Sequence, residues 1–224
     1  MAYECTDADR DAFGLTCTMD DPCPVFLELG SADAAGGRLI AAGNLHTKSV
    51  TLYGIVLASE DNGATWTEPS PRIPAAALEQ VEFYDLQTGW ITGESIDPLA
   101  RNPFMLITTD GGGTWHRKQI VEDTKYGTVA QFHFDTPMRG ELVLDTPQPK
   151  QIHQELYETN TGGEDWELKQ VNNSAIKLKN ARVPGQGPLR VRVDAASGTF
   201  VMERGGGRAW DRVASFTIHV ADCE

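Results

Sequence analysis

Short segments in which apolar and polar residues alternate recur along nearly the whole chain, the period expected of half-buried strands. They fall into four groups of four. The first comprises residues 25–29, 38–42, 54–58 and a strand starting at Thr65; the second 81–85, 90–94, 104–108 and 114–120. The third comprises 129–134, 141–145, 155–159 and 165–171, and the fourth 176–180, 189–194, 199–203 and 209–214. One strand, 216–220, is left over. Helix is nearly absent; Ala75-Ala76-Ala77-Leu78-Glu79 is the one stretch that suits a single turn.

The same motif punctuates the groups between their third and fourth strands. Ser59-Glu60-Asp61-Asn62-Gly63-Ala64-Thr65-Trp66 and Thr108-Thr109-Asp110-Gly111-Gly112-Gly113-Thr114-Trp115 share the pattern Ser/Thr-x-Asp-x-Gly-x-Thr-Trp, with their tryptophans 49 residues apart. Two weaker copies keep only the glycine and tryptophan: Gly163 with Trp166, where Thr161 replaces Asp, and Gly207 with Trp210, where Gly205 does. Self-similarity at a period of about 40–50 residues is the signature of a propeller blade. The chemistry of the motif is that of a tight turn. Asp61 and Asp110 accept backbone N–H bonds, Gly63 and Gly112 supply positive φ, and Trp66 and Trp115 pack beneath the hairpin. These residues are read as structural, not catalytic.

The motif resembles the Asp-box, or bacterial neuraminidase repeat (BNR). The run from Val81 through Gly89-Trp90-Ile91-Thr92-Gly93 to Trp115 resembles the photosystem II stability and assembly factor branch of these repeats. The expected fold is all-β: a small propeller of four four-stranded antiparallel blades, or five with one incomplete. Residues 1–23 form a cysteine-containing extension. Residues 24–224 form one domain, with repeats near 24–68, 78–120, 128–171 and 174–214 and a closing strand at 216–222. That strand joins the chain's two ends within one blade and protects open edges.

Composition narrows the partners. A formal net charge of −13 opposes nonspecific binding to nucleic acid or anionic membranes. No apolar run has the roughly 18 residues of a membrane span. Cys5, Cys17, Cys23 and Cys223 show no zinc-ligand spacing. An even count at the two extremities reads as two disulfides in an oxidising compartment, periplasmic or extracellular. All three connectivities tie Cys223 to the N-terminal segment. Cys5–Cys17 with Cys23–Cys223 is favoured, because Cys23 precedes the first strand and Cys223 follows the last. Met1-Ala2 leads directly into Tyr3-Glu4-Cys5, which predicts that an export leader has been removed.

Little points to catalysis. Pro71-Arg72-Ile73-Pro74 resembles the Arg-Ile-Pro segment of sialidases but follows the first box instead of preceding it. Asp7-Ala8-Asp9-Arg10-Asp11 starts like a calcium loop but lacks the glycine and glutamate that complete one. Lys177 and Lys179, with Arg190 and Arg192, place like charges on neighbouring strands and need acidic partners. No phosphate loop, dinucleotide fingerprint or histidine ligand spacing is present, so neither metal nor cofactor is expected.

Up-and-down topology places the boxes on one rim and the long connections on the other. That second rim carries the candidate binding residues Arg72, Arg101, Lys150, His46, His153, Tyr53 and Tyr126, together with Lys48, Glu94, Asp97 and Asn102. The expectation is a non-enzymatic exported binding or assembly propeller with a protein or polypeptide partner. The alternative is a carbohydrate-binding or glycan-hydrolysing module, which three acids converging with aromatics on the long-loop rim would favour.

Overall fold

The computed structural model describes residues 3–96, 100–121, 126–147, 152–181, 189–206 and 209–224; of Ala100, Arg101 and Gly206 only the backbone is described. Four antiparallel sheets follow one another along the chain. The first is built from β1 (Cys23–Ala35), β2 (Arg38–His46), β3 (Thr51–Ser59) and a two-residue β4 (Ile73–Pro74). The second holds β5 (Ala76–Phe83), β6 (Gly89–Ile96), β7 (Ala100–Thr108) and β8 (His116–Gln119). The third holds β9 (Thr128–Phe134), β10 (Gly140–Asp145), β11 (Gln154–Thr159) and β12 (Glu167–Asn172). The fourth has three strands, β13 (Leu189–Asp194), β14 (Thr199–Gly206) and β15 (Ala209–Thr217). The last strand, β16 (His219–Cys223), returns to the first sheet and pairs with β1. β5 packs on β1–β3, β9 on β6 and β7, and β13 and β14 on β1, so the sheets are blades in ring order and the fold is a β-propeller.

The cores lie between blades. One apolar cluster joins Leu27, Leu39 and Leu57 of the first blade to Leu189, Met202 and Phe216 of the fourth. A second joins Ile40 and Val56 to Leu78, Ile91 and Phe104, and a third joins Trp90 and Ile107 to Phe132, Phe134 and Leu142. The polar half of the alternation also faces neighbours. Ser31 Oγ and Asp33 Oδ2 accept the Val81 and Phe83 amides at 2.7 Å each, and Glu82 Oε1 accepts the Phe134 amide at 3.2 Å. Inner-strand side chains thereby satisfy backbone amides of the next blade that would otherwise be buried unpaired.

Four expectations change. First, residues 176–180 form no ladder: the Ile176 and Leu178 amides donate instead to Gln154 Oε1 (2.7 Å) and Gln131 Oε1 (3.3 Å), so the segment fills the inner-strand place of the fourth blade without pairing in it. Second, the outer strand of the first blade does not run on from Thr65. After a bridge between Ala58 and Thr67, Pro69 and Pro71 remove the donors a ladder needs, and pairing resumes at Ile73–Pro74. Third, the closing strand is displaced to His219–Cys223. Phe216 stays in β15, opposite Phe200 and edge-on to Trp66 at 5.1 Å, while Ile218 hands the chain over, donating to Gly198 and accepting from the Leu27 amide. Fourth, residues 75–79 are strand apart from Ala75, and the helix lies at Asp7–Phe13.

That helix, α1, starts with a capping box. Thr6 Oγ1 accepts the Asp9 amide at 3.2 Å, and Asp9 Oδ2 accepts the Thr6 amide at 2.8 Å. Gly14 ends it at φ +60°. The acidic run is thus a helix start. The disulfides are Cys5–Cys223 and Cys17–Cys23, with Cα separations of 5.2 and 5.4 Å. The favoured connectivity is therefore overturned. Thr18 and Asp21 exchange both backbone hydrogen bonds at 3.1 Å, a tight turn that folds Cys17 back onto Cys23. Cys223 lies directly across the ladder from Cys23 but bonds to Cys5, which the capped helix holds in place.

Candidate functional site

The box turns and the opposite rim differ in kind. In the first box, Asp61 Oδ1 accepts the Thr65 amide (2.8 Å) and the Ser59 hydroxyl (2.8 Å), and Oδ2 accepts the Thr65 hydroxyl (2.6 Å). Asp110 repeats this with Thr114 and Thr108 at 2.7–2.9 Å. In the third copy Thr161 Oγ1 takes over, accepting the Asp165 amide at 2.9 Å. Gly63, Gly112 and Gly163 sit at φ +96°, +87° and +96°. A Cβ on Gly63 would meet Val213 Cγ1 at 2.4 Å, so the first box lies directly against the fourth blade. The fourth copy is different. Its described residues form a hairpin running to Gly206 opposite Ala209, and Trp210 lies under the Arg190 guanidinium at 4.1 Å. Gly207 lies outside the described residues.

Hydrogen bonds, first from the Thr65 hydroxyl, hold the Asp61 carboxyl at about 2; the Thr114 amide leads the same effect on Asp110, also about 2. Both folded values are depressed. Their stabilisation is present above the unfolded value near 3.8 and is lost as pH falls through 2. Asp110→Ala is expected to lower Tm at pH 6 by roughly 2–6 °C, through unpaired turn donors. The difference should shrink by pH 2, where the carboxyl is about half protonated. Calorimetry at both values tests this, and a variant that melts like the parent at pH 6 would refute the assignment.

On the opposite rim, the predicted residues do not gather at one point. Tyr53 is drawn under α1: its hydroxyl donates to Asp9 Oδ1 at 2.5 Å and its ring meets Phe13 edge-on at 5.2 Å. Burial, then the bond to Asp9, raises the Tyr53 phenol to about 12. Arg72 forks onto Glu68 with two bonds of 2.8 Å and lies 5.1 Å above the Tyr3 ring. Both residues bind the N-terminal extension to the blade. His153 lies on the third blade, with Nδ1 3.2 Å from Asn173 Oδ1, and Tyr126 is exposed. Asp97, Lys150 and the Arg101 side chain lie outside the described residues. The basic pair Arg190 and Arg192 is held by Glu203, at 2.7 and 3.2 Å.

His46 does line a concave site. A cleft of about 500 Å³ opens between the first two blades, walled by Phe13, Glu28, His46 to Thr51, and Ile96. The second blade carries a buried acidic group that the sequence reading only partly named. Glu94 is 3% exposed and its Oε2 has no hydrogen-bond partner. Ala77 faces it across the ladder, and Glu79 follows at the bulge. Burial, and after it the Glu79 carboxylate, push Glu94 up to about 8; burial and Glu28 raise Glu79 in turn. Glu28 and Glu79 were missed. The alternation over 25–29 does separate Glu28 from the core, but no local signal shows which blade it faces.

A raised folded value reverses the sign found for the aspartates. The native state keeps a proton on Glu94 that the unfolded chain releases near 4.5. This stabilisation is full below 4.5 and is lost as pH rises through 8. Tm is expected to fall by on the order of 5 °C between pH 5 and 9, and Glu94→Gln should flatten that slope. A parent profile level across the range would exclude a buried protonated Glu94.

Among the described residues no helix is long and apolar enough to cross a membrane. No family model matches the chain. The photosystem II assembly lipoprotein Ycf48 of Synechococcus sp. (strain CC9902) is 26% identical over 171 residues, which cover 72% of this chain and 41% of that protein. The chain thus spans about two fifths of the length of this curated relative. Similar solved structures include the following three. Ycf48 bound to a D1 peptide shares 20% identity at a TM-score of 0.42, covering 85% of this chain and 55% of that one. The Penicillium chrysogenum α-L-arabinanase with arabinobiose shares 14% at 0.46, covering 88% and 62%. The Xanthomonas campestris GH74 xyloglucanase shares 12% at 0.43, covering 88% and 31%. In sequence the chain is distantly similar to Ycf48, an Asp-box propeller.

Proposed function

We propose that this chain is a non-enzymatic, exported binding propeller that holds a protein or polypeptide partner on the rim opposite the boxes. The observation that carries this is the cleft between the first two blades. Its walls are a loop, a helix end, three strand ends and Glu28 of β1 on a rigid scaffold, where binding residues concentrate. The box rim, by contrast, is committed to packing: Gly111 donates to Gln87 O at 2.7 Å and Gly162 to Met138 O at 2.9 Å. The distant relative is an assembly lipoprotein by name, which supports a protein partner. Two disulfides support export. His153 and Tyr126 extend the proposed surface along this rim.

Glycan hydrolysis is the weaker reading. It requires two carboxylates flanking one glycosidic bond, and Glu28 is the one carboxylate among the described residues that walls the cleft. A photo-crosslinking residue at Val50 should capture a polypeptide from exported extract of the source organism, while one at Asn160 on the box rim should not. Equal capture at both positions, or specific signals confined to a glycan array, would overturn the proposal.

A further inference from the structure

One position of the repeat changes its chemistry from blade to blade. Asp33, Glu82 and His133 take equivalent places in β1, β5 and β9, spaced 49 and 51 residues apart like Trp66, Trp115 and Trp166. The two acids reach forward: Asp33 accepts the Phe83 amide of the second blade, and Glu82 the Phe134 amide of the third. His133 instead stands between two carboxylates. Its Nδ1 lies 2.9 Å from Glu82 Oε1, and its Nε2 lies 3.5 Å from Asp135 Oδ1, in the turn after β9. Asn180 Nδ2 donates to that same Asp135 oxygen at 3.2 Å. Asn180 ends the 176–180 segment, which forms no ladder and is held by side chains. Gln131 accepts the Leu178 amide and donates to Ile176 O, each at 3.3 Å, and Gln154 accepts the Ile176 amide. His133 thus connects the second blade, through the third, to the inner-strand place of the fourth.

What this joint transmits depends on a proton. Glu82 is 3% exposed and the His133 ring is mostly buried, so solvent screens their attraction weakly. The Nδ1 contact is close without the alignment of a hydrogen bond. It is an attraction between charges, present when the imidazole is protonated and absent when it is neutral. An imidazole makes that change between about pH 5 and 8. Other charged groups surround the ring. Glu141 faces it across the β9–β10 ladder, Arg139 closes the turn with its carbonyl on the Asp135 amide, and Lys179 precedes Asn180. β5 and β6 also carry Glu79 and Glu94, further along their strands.

We infer that His133 is a pH-sensitive coupler of the blades. Protonated, it ties Glu82 to the Asp135 turn and keeps residues 176–180 seated on the third blade; neutral, it loses both attractions and lets that segment detach more readily. A segment held by side chains alone, with no ladder of its own, is one that opens locally at low cost.

The test is amide hydrogen exchange at about pH 5 and pH 8, corrected for intrinsic rates. It is run on the parent and on Glu94→Gln, which removes the buried carboxyl of β6 that gains charge over the same range. In both proteins the Ile176 and Leu178 amides should lose protection about fivefold at the higher pH. The Phe83 amide, bonded to Asp33, should keep its protection. His133→Gln, uncharged at every pH, should show the lower protection at both values. The His133 ring signal in NMR should titrate with the same midpoint as the protection, which a merely structural role for the ring would not require. Equal protection of Ile176 and Leu178 at the two pH values, an equal loss at Phe83, or an undiminished loss in His133→Gln would overturn the inference. So would separate midpoints, or a loss confined to the protein with Glu94 intact. Should His133→Gln fail to fold, Asp135→Asn decides: it should lower protection at pH 5 and reduce the pH dependence, and a dependence equal to the parent's would refute the coupling.

Discussion

Replacing Cys5 and Cys223 together by alanine is expected to lower stability by about 5 kcal/mol, with Tm falling by 10 °C or more. The bond closes a sequence separation of 218 residues, and the chain-entropy model makes loops of that size the most constraining. Cys17–Cys23 spans six residues, and the same model gives it about 2 kcal/mol. The two variants should therefore separate clearly in urea unfolding. The clasp variant should also show a steeper dependence on denaturant, because its unfolded chain is more expanded. Alanine is the informative substitute, since Cys223 is fully buried and serine would add an unsatisfied hydroxyl. The damage should begin locally. β16 is held to β1 over four residue pairs, and Leu27 N to Ile218 O at 2.7 Å. Without the clasp, exchange at the Leu27 amide should rise towards that of an open edge. Equal, small losses for both disulfides would show that the closing strand is held by packing alone.

What the sequence revealed and what it hid have one physical origin. Strand alternation and the box turns are written over few residues, because side-chain direction and turn chemistry are local. The pairing of blades was legible for the same reason: Leu39, Ile91 and Leu142 belong to apolar runs that demand burial. The partners of polar side chains were not legible. Asp33 reads as a solvated strand residue, and only the ring brings the Phe83 amide to it. The same holds for Arg72 and Tyr53, whose contacts with Tyr3 and Asp9 depend on an extension that folds back over the first blade. Glu94 was legible as a rim residue, but its burial and the influence of Glu79 on it, and of Glu28 on Glu79, arise only when the strands and blades assemble. The disulfide connectivity was misjudged because distance along strands was weighed above the short Thr18–Asp21 turn.

Trp90→Ala is expected to cost about 3–5 kcal/mol, the loss typical of a large aromatic removed from a packed core. Two contacts meet at this side chain. Its ring is fully buried, and it stacks on Phe134 with centroids 3.6 Å apart and planes within 2°. Its Nε1 donates to Gly162 O at 2.8 Å, inside the third box. Arg38 performs the same task one blade earlier, donating to Gly111 O at 2.6 Å. The second and third box turns are thus gripped by the preceding blade, by a guanidinium at one seam and an indole at the next. The third turn tolerates Thr161 in place of Asp because Thr161 Oγ1 accepts the Asp165 amide at 2.9 Å. Trp90→Phe separates the two contributions: it keeps the stacking area but leaves the Gly162 carbonyl without its donor, so it should lose only about 1–2 kcal/mol. In Trp90→Ala the lost area and the orphaned carbonyl add to a cavity beside Phe134, and the amide of Gly163 should exchange faster than that of Gly112, whose turn keeps its own anchor. If phenylalanine proved as damaging as alanine, the hydrogen bond across the seam, more than the packing, would be what joins the second and third blades.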